Sequence, residues 1–385
     1  MKPVRIIFMI FIIIFSCFLL SGCWNYREID DLGIVAGVAI DEGFEKKYKF
    51  TIEVVYVSGG IESKVSSRVV SIEGNSVFEA SRNAIAVTGK RLYWSHSKVL
   101  VVSKKIAEKG ITKIVDWFIR DAETRSDAFI LISNGETAHE IFDGVPMTEE
   151  IVSFELEETL LNNSHLSKAP KIKIWQFANC LAGEGISPKA PAIQIEKVMD
   201  KIIPIITGTA IFKGDKLVGF IDGEETKYFL FIVDEVKGGV LTYEESEKRE
   251  DGIIALEIFD NKTRIKPVVS GNDVEIDIKL KTVAAINEIS LIDVNFVNRE
   301  EWRKLEAKIG KMLENNIKET IEKMQQQYSS DIFGFGKKVY EDNQKVWNSI
   351  GDRWDEVFQN LKVNIKADVS IKNSAVLSEP LEVRN

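Results

Sequence analysis

The spacing of hydrophobic and polar positions changes several times along the chain, and each change marks an element. Ile6 to Leu20 is apolar throughout except at Ser16, directly behind the cations Lys2 and Arg5. At about fifteen residues this run is shorter than the roughly 20 that a helix needs to cross a bilayer core, so it reads as a cleavable secretion leader. Leu32 to Ile40 is a Val/Ile/Ala/Gly run closed by Asp41-Glu42-Gly43, which predicts a buried strand. Tyr48 to Val57 alternates apolar and polar residues, which predicts its hairpin partner across a turn at Glu42-Gly43-Phe44. Asn75 is placed as the N-cap of a helix through Val77, Phe78, Ala80 and Ile85 that stops near Gly89. A strand at Val99 to Val102, a helix at Ile111 to Ile119 and a strand at Phe129 to Ile132 follow.

From Thr148 to Asn162 the positions Ile151, Phe154, Leu156, Leu160 and Leu161 return to helical spacing, with Glu149, Glu150, Glu155, Glu157 and Glu158 as a solvated face. Pro188 to Val198 is extended and runs into Ile202-Ile203-Pro204. Thr209 to Phe212 and Leu217 to Phe220 flank Gly214-Asp215 and predict a second hairpin, followed by a short helix over Glu224 to Ile232. Gly252 to Phe259, Thr263 to Val269 and Val274 to Leu280 read as three sequential strands. In the last, Val274, Ile276, Ile278 and Leu280 face one way while Glu275, Asp277, Lys279 and Lys281 face the other, so that sheet has one wet face. The longest helix spans 298–327, with Asn298 and Glu301 spaced as a capping box and an apolar stripe through Leu305, Ile309, Leu313 and Ile317 that should cover the dry face. A second helix carries Val346, Trp347, Ile350, Trp354, Val357 and Phe358, and Val363 to Ile371 alternates as a closing strand. The order predicts an α+β multidomain protein with mixed and antiparallel sheets and helices packed on one face. The expected division is a leader at 1–22, an α+β unit at 23–200 whose further division is left open, and a second α+β unit at 205–385.

The end of the apolar run, Leu20-Ser21-Gly22-Cys23, resembles a bacterial lipobox, in which the cysteine sulfur receives a diacylglyceryl group and the chain is cut just before it. Cys23 is then the lipidation residue and the first residue of the mature chain, which needs no other cofactor than the diacylglycerol and N-acyl lipid it carries. Two or more acyl chains hold a protein to a bilayer almost permanently, whereas one does so only marginally. Trp24 and Arg27, next to this anchor and outside any periodic segment, are the candidate membrane-proximal contacts. Loss of Lys2 and Arg5 with the leader moves the net charge from −9 to −11, which argues against nucleic acid as a partner and against an electrostatic grip on anionic lipid. Of three cysteines, Cys17 leaves with the leader and Cys23 is lipidated, so Cys180 has no partner for a disulfide; its place in the Ile174, Phe177, Leu181 pattern predicts a buried small hydrophobe.

Catalysis has little to stand on. The chain lacks a glycine-rich phosphate loop, His-Glu-x-x-His, Gly-x-Ser-x-Gly and Cys-x-x-Cys. His96, His139 and His165 are scattered, with no second ligand at metal spacing. Ser95 and His96 are adjacent, but neighbours on a strand point to opposite faces, so His96 is expected to pack or hydrogen-bond rather than act as a base. These readings predict a protein that is not an enzyme and that takes neither metal nor small-molecule substrate.

Four stretches, in order behind the lipobox, resemble the Ger(x)C family, the lipoprotein C subunits of bacterial spore germinant receptors. They are Cys23-Trp24-Asn25-Tyr26-Arg27-Glu28-Ile29 with the strand ending at Asp41; Arg91-Leu92-Tyr93-Trp94-Ser95-His96; Thr209-Ala210-Ile211-Phe212 with Lys216-Leu217-Val218-Gly219; and Asp331-Ile332-Phe333-Gly334-Phe335-Gly336. Asn25 departs from the pattern, where an acid is more usual. The resemblance implies a lipid-anchored, non-enzymatic subunit on the outer face of the spore inner membrane. Its partners would be the bilayer, through Cys23, and the integral membrane A and B subunits, the B subunit resembling amino-acid transporters. The alternative is a solute-binding lipoprotein serving a transporter, with two lobes closing on a ligand. It lacks support in the pattern, because the second half runs strands first and helices later.

Overall fold

A computed structural model describes residues 2–19, 32–58, 64–244, 252–271, 273–290 and 299–372. Helix α1 (Lys2–Leu19) precedes a nine-stranded sheet. Its first part comprises β1 (Leu32–Glu42), β2 (Tyr48–Ser58), β3 (Lys64–Gly74), helix α2 (Val77–Thr88), β4 (Arg91–Tyr93), β5 (Val99–Ser103), helices α3 (Lys104–Lys109) and α4 (Thr112–Arg120), and β6 (Phe129–Ser133). Helices α5 (Val152–Asn162) and α6 (Ile174–Leu181) lead to β7 (Lys189–Val198), β8 (Lys201–Lys213) and β9 (Lys216–Ile221). The spatial order is β3-β2-β1-β5-β6-β7-β8-β9, with β4 beside the start of β1. Strands β1, β5, β6 and β7 run parallel, and both ends of the sheet close with antiparallel hairpins.

The parallel centre explains one departure from expectation. Its Val/Ile/Ala runs are buried on both faces, as strands in parallel sheets are. Val38, Ile40, Leu100, Val102, Ile130 and Ile132 pack under α2, α3, α4 and α6, while Ala39, Val99, Val101 and Leu131 pack under α5 and the turn at Ile141-Phe142. Helices therefore cover this sheet on two faces rather than one. The sheet also runs straight through the expected junction, because β7 and β8 pair from Lys189↔Ile211 to Val198↔Lys201.

Helix α7 (Gly223–Ile232), capped by Asp222 with Glu225 reaching back to the cap's N–H, leads into a four-stranded sheet. Its strands are β10 (Val240–Glu244), β11 (Ile253–Ser270), β12 (Asp273–Ser290) and, after the helices, β13 (Lys362–Lys372). The three strands expected between 252 and 280 are two strands of 18 residues each. A register shift between Ile258 and Asp260 interrupts the alternation, and Asn261 beyond it is buried, accepting from the Thr282 hydroxyl at 2.9 Å. A bulge of this kind bends a strand without ending it. After the long α8 (Arg299–Lys323) and the short α9 (Phe335–Asp342), the single helix expected from Val346 to Phe358 is likewise two short ones, α10 (Gln344–Ile350) and α11 (Trp354–Gln359). Asn343 caps α10 by accepting from Val346 N, and Gly351 with its neighbours forms a 3-10 turn that re-aims the chain into α11.

The one-faced expectation holds for this second sheet. Leu305, Ile309, Leu313 and Ile317 of α8 lie in one core with Leu256, Ile276, Ile278 and Leu280. Strand β13 is one of the two edges, with β10 the other, and α8 satisfies part of it: Ala367 N and Ile371 N donate to Glu314 and Glu306 at 3.2 and 2.8 Å. Such cover blunts an edge that could otherwise pair with another chain. Leu313 is fully buried, so Leu313→Ala is expected to cost about 2 to 5 kcal/mol. Thermal unfolding of the purified protein measures it, and an unchanged midpoint would mean that the stripe does not hold the layer.

Candidate functional site

The sequence places its strongest candidate at the N-terminus. Helix α1 is apolar from Ile6 onward except at Ser16, and every one of its side chains that is described is exposed. A helix that is hydrophobic all round and packs on nothing in its own fold belongs in an apolar medium. Its 18 residues rise about 27 Å, and among the described residues no helix is long and apolar enough to cross a membrane. Cys23, Trp24 and Arg27, and the proposed cap Asn298, lie outside the described residues.

Arg91 to His96 does not continue as a strand. After β4 the chain makes a 3-10 turn at Trp94–His96, so Ser95 and His96 are not related as strand neighbours. Ser95 Oγ donates to the Glu123 carbonyl at 2.8 Å, and the exposed His96 ring meets Phe154 edge-on at 5.9 Å. The rest of the motif is structural: Arg91 pairs with Glu123, and Trp94 sits edge-on to Phe50 and Trp117 at 5.7 and 5.8 Å. His139 Nε2 stands 3.3 Å from Asp143 and its Nδ1 3.4 Å from Thr51 Oγ1, while His165 is exposed. Among the described residues no three His, Cys, Asp or Glu side chains gather as a metal site. Cys180 is half-buried rather than fully buried: α6 turns Ile174 and Phe177 inward and leaves the thiol at its margin. Of the acids around α5, Glu155 folds back to accept from Met147 N and Thr148 N at 2.6 and 2.7 Å, and Glu157 pairs with Lys98 at 2.9 Å.

Three buried acids, to none of which the sequence pattern gave a role, hold the ends of helical segments. Asp41, at the end of β1, accepts from Ala138 N and His139 N at 2.7 and 2.9 Å; burial pushes its carboxyl up, while the two donors and nearby Lys49 pull it down. Glu53 of β2 accepts from Val152 N and Ser153 N at the start of α5, at 3.2 and 2.9 Å. Acceptors here meet orphan N–H groups and the positive end of the helix dipole. Asp331 is buried as well. Its carboxylate accepts from Gly334 N, Phe335 N, Gly336 N and the Trp354 indole at 2.8 to 3.1 Å. Burial with no cation beside it pushes this carboxyl up to about 6, and the four donors hold the rise back.

The glycines around Asp331 follow from that geometry. Gly334 has φ +78, and a Cβ on Gly336 would collide with the Trp354 ring. The same loop joins the two sheets: Ser330 Oγ donates to the Phe212 carbonyl at 2.6 Å, Tyr328 Oη to Phe220 at 2.9 Å, and Ser187 N to the Asp331 carbonyl at 2.8 Å. The stretch Asp331 to Gly336 is therefore a joint, not a ligand loop. Two grooves lie on the second sheet's layer. One, of about 340 Å³, is between α8 and the start of β13, lined by Ile321, Gln325 and Leu361 among others; the second, of about 540 Å³, is between α8 and β10.

Fold and sequence together match known proteins over nearly the whole chain. Residues 25–195 match the spore germination protein N-terminal domain, and residues 207–375 match the spore germination B3/GerAC-like C-terminal domain. The chain belongs to the Ger(x)C family of spore germination proteins. It is 26% identical to spore germination protein B3 of Bacillus subtilis over 94% of this chain and 96% of that one, and 23% identical to spore germination protein KC of the same organism over 96% of each. The crystal structure of the GerBC protein has the same fold, with a TM-score of 0.55 at 23% identity, covering 88% of this chain and 96% of that one.

Proposed function

We propose that this chain is the lipid-anchored, non-enzymatic C subunit of a spore germinant receptor. In this reading Cys23 carries the lipid, the folded part stands on the outer face of the spore inner membrane, and the protein acts by contact with the integral membrane A and B subunits. The observation that carries the anchoring is α1, an apolar helix packed on nothing, four residues before a cysteine that follows Ser21-Gly22. Membership of the Ger(x)C family supports the receptor role, and the relatives are spore germination proteins. Contact rather than chemistry fits the use the chain makes of its polar groups. Ser95 and the buried carboxylates of Asp41, Glu53 and Asp331 are occupied in local hydrogen bonds that hold turns and helix ends. A lipid tether raises effective concentration by confining partners to one surface, so modest contacts suffice. Fatty-acid labelling and membrane fractionation of Cys23→Ala against the wild type test the reading.

A further inference from the structure

The register of the first sheet fixes which of its ends receives the chain from the anchor. Leu32, nine residues after Cys23, starts β1 and lies beside Arg91 of β4. Val35 lies opposite Val54, so β2 runs down to the level of Leu32 by Tyr56 to Ser58, where it pairs with β3 at Ser58↔Lys64. Helix α2 descends beside them and ends at Gly89, just before β4. One end of the molecule thus gathers the start of β1, the β2–β3 hairpin end, the last turn of α2 and β4.

That end exposes apolar and aromatic side chains that nothing among the described residues covers. Tyr56 is 43% exposed, Val57 60% and Val87 62%, and Val65 and Tyr93 are exposed as well. Tyr56 and Val57 point to opposite faces of their strand, so the hairpin end projects past the helices on both sides. In α2 the exposed face ends in Ile85, Ala86 and Val87, where a water-facing helix would carry polar residues. Long cationic side chains flank this set: the Arg68 guanidinium lies 4.4 Å over the Tyr56 ring, and Lys64, opposite Ser58, pairs with the exposed Glu150 at 3.9 Å. Tyrosine, aliphatic and long cationic side chains together are the composition found where a protein meets the headgroup region of a bilayer.

We propose that this end, built on Tyr56, Val57, Val65, Val87 and Tyr93, rests on the lipid surface as a second membrane contact beside the anchor. The inference rests on the reading that Cys23 is lipidated, and it adds an orientation to it. Nine residues span at most about 30 Å, so the tether keeps this end within reach of the headgroups, where burying the exposed set removes apolar area from water. The β7–β8 turn at Met199 then points away from the membrane. It lies past the other end of β1, on the order of 40 Å along the strands, and Met199 is 91% exposed.

The test uses the full lipidated chain with Cys180→Ser, carrying a nitroxide at Val57→Cys, Val87→Cys or Met199→Cys, in vesicles of phosphatidylethanolamine and phosphatidylglycerol. All three sites are exposed, so the labels should be tolerated. We expect the ratio of oxygen to nickel-chelate accessibility at 57 and 87 to exceed that at 199 several-fold. Equal ratios in protein that floats with the vesicles would overturn the proposal and leave the anchor standing. Protein that fails to float would overturn both. Labels at 57 and 87 that become shielded only in membranes containing the integral subunits would also overturn it, by assigning the surface to protein instead of lipid.

Discussion

Replacing Cys23 with alanine is expected to abolish fatty-acid labelling, leave the leader uncut, and lower germination through this receptor at least about tenfold, because the confinement that a tether supplies is worth that much or more. Each buried methylene contributes about 0.8 kcal/mol, so a lipidated cysteine holds a chain far more firmly than any single surface contact. The uncut variant keeps α1 (Lys2–Leu19), whose rise falls short of a full bilayer core; a tether by α1 would leave some protein in the membrane fraction. Labelling therefore decides the chemistry and germination decides its importance. Label still incorporated by Cys23→Ala would contradict the assignment.

Asp331→Ala is expected to be the most damaging single change in the folded part. It removes the acceptor of four buried donors, Gly334 N, Phe335 N, Gly336 N and Trp354 Nε1, at the loop that joins the two sheets. A buried donor left without a partner costs about 1 to 3 kcal/mol, so a loss of at least about 3 kcal/mol should appear in thermal unfolding. Asp331→Asn keeps one acceptor oxygen but turns an amide N–H toward another donor, and should fall in between. The pH dependence has a definite sign. The folded carboxyl is pushed up to about 6 from its ordinary 3.8, so between these values the unfolded chain has ionised while the folded one still holds its proton. The stabilisation linked to this proton is therefore fully present below about pH 4 and is lost as the pH rises through 6. Wild-type and Asp331→Asn stability curves that run parallel between pH 4 and 6 would show that the carboxyl does not titrate there.

Much of the fold was legible because its signals are local. The alternation in Val274 to Leu280 and the three-and-four spacing from Leu305 to Ile317 belong to elements with one wet face, and both are where the pattern puts them. The central strands were legible as buried, but not that helices cover them twice, since a continuous apolar run looks the same whichever layer covers it. Strand β3 (Lys64–Gly74) was hidden by Ser66, Ser67 and Ser71, because the partners that Ser67 and Ser71 find, Glu53 and Thr51 of β2, lie far away in the chain. The bulge beyond Ile258 imitated a turn, and the break at Gly351 was masked by buried Trp347 and Trp354 on either side of it. Asp41, Glu53 and Asp331 escaped for another reason. The first two bond to residues roughly a hundred positions away, which no local window can show; for Asp331 the glycines at 334 and 336 were the available sign of a tight loop.

The central claim is that this protein works by contact, and one measurement bears on it most directly. Fold-preserving substitutions at Ser95, His96 and Cys180 and at surface positions away from the proposed lipid contact, such as Met199, would be scored in spores for germination rate, and in their membranes for co-purification with the integral receptor subunits. The account predicts that the first three leave both unchanged, and that every surface variant that slows germination loses its membrane partners in proportion. A change at Ser95, His96 or Cys180 that stopped germination while the complex stayed assembled would contradict it.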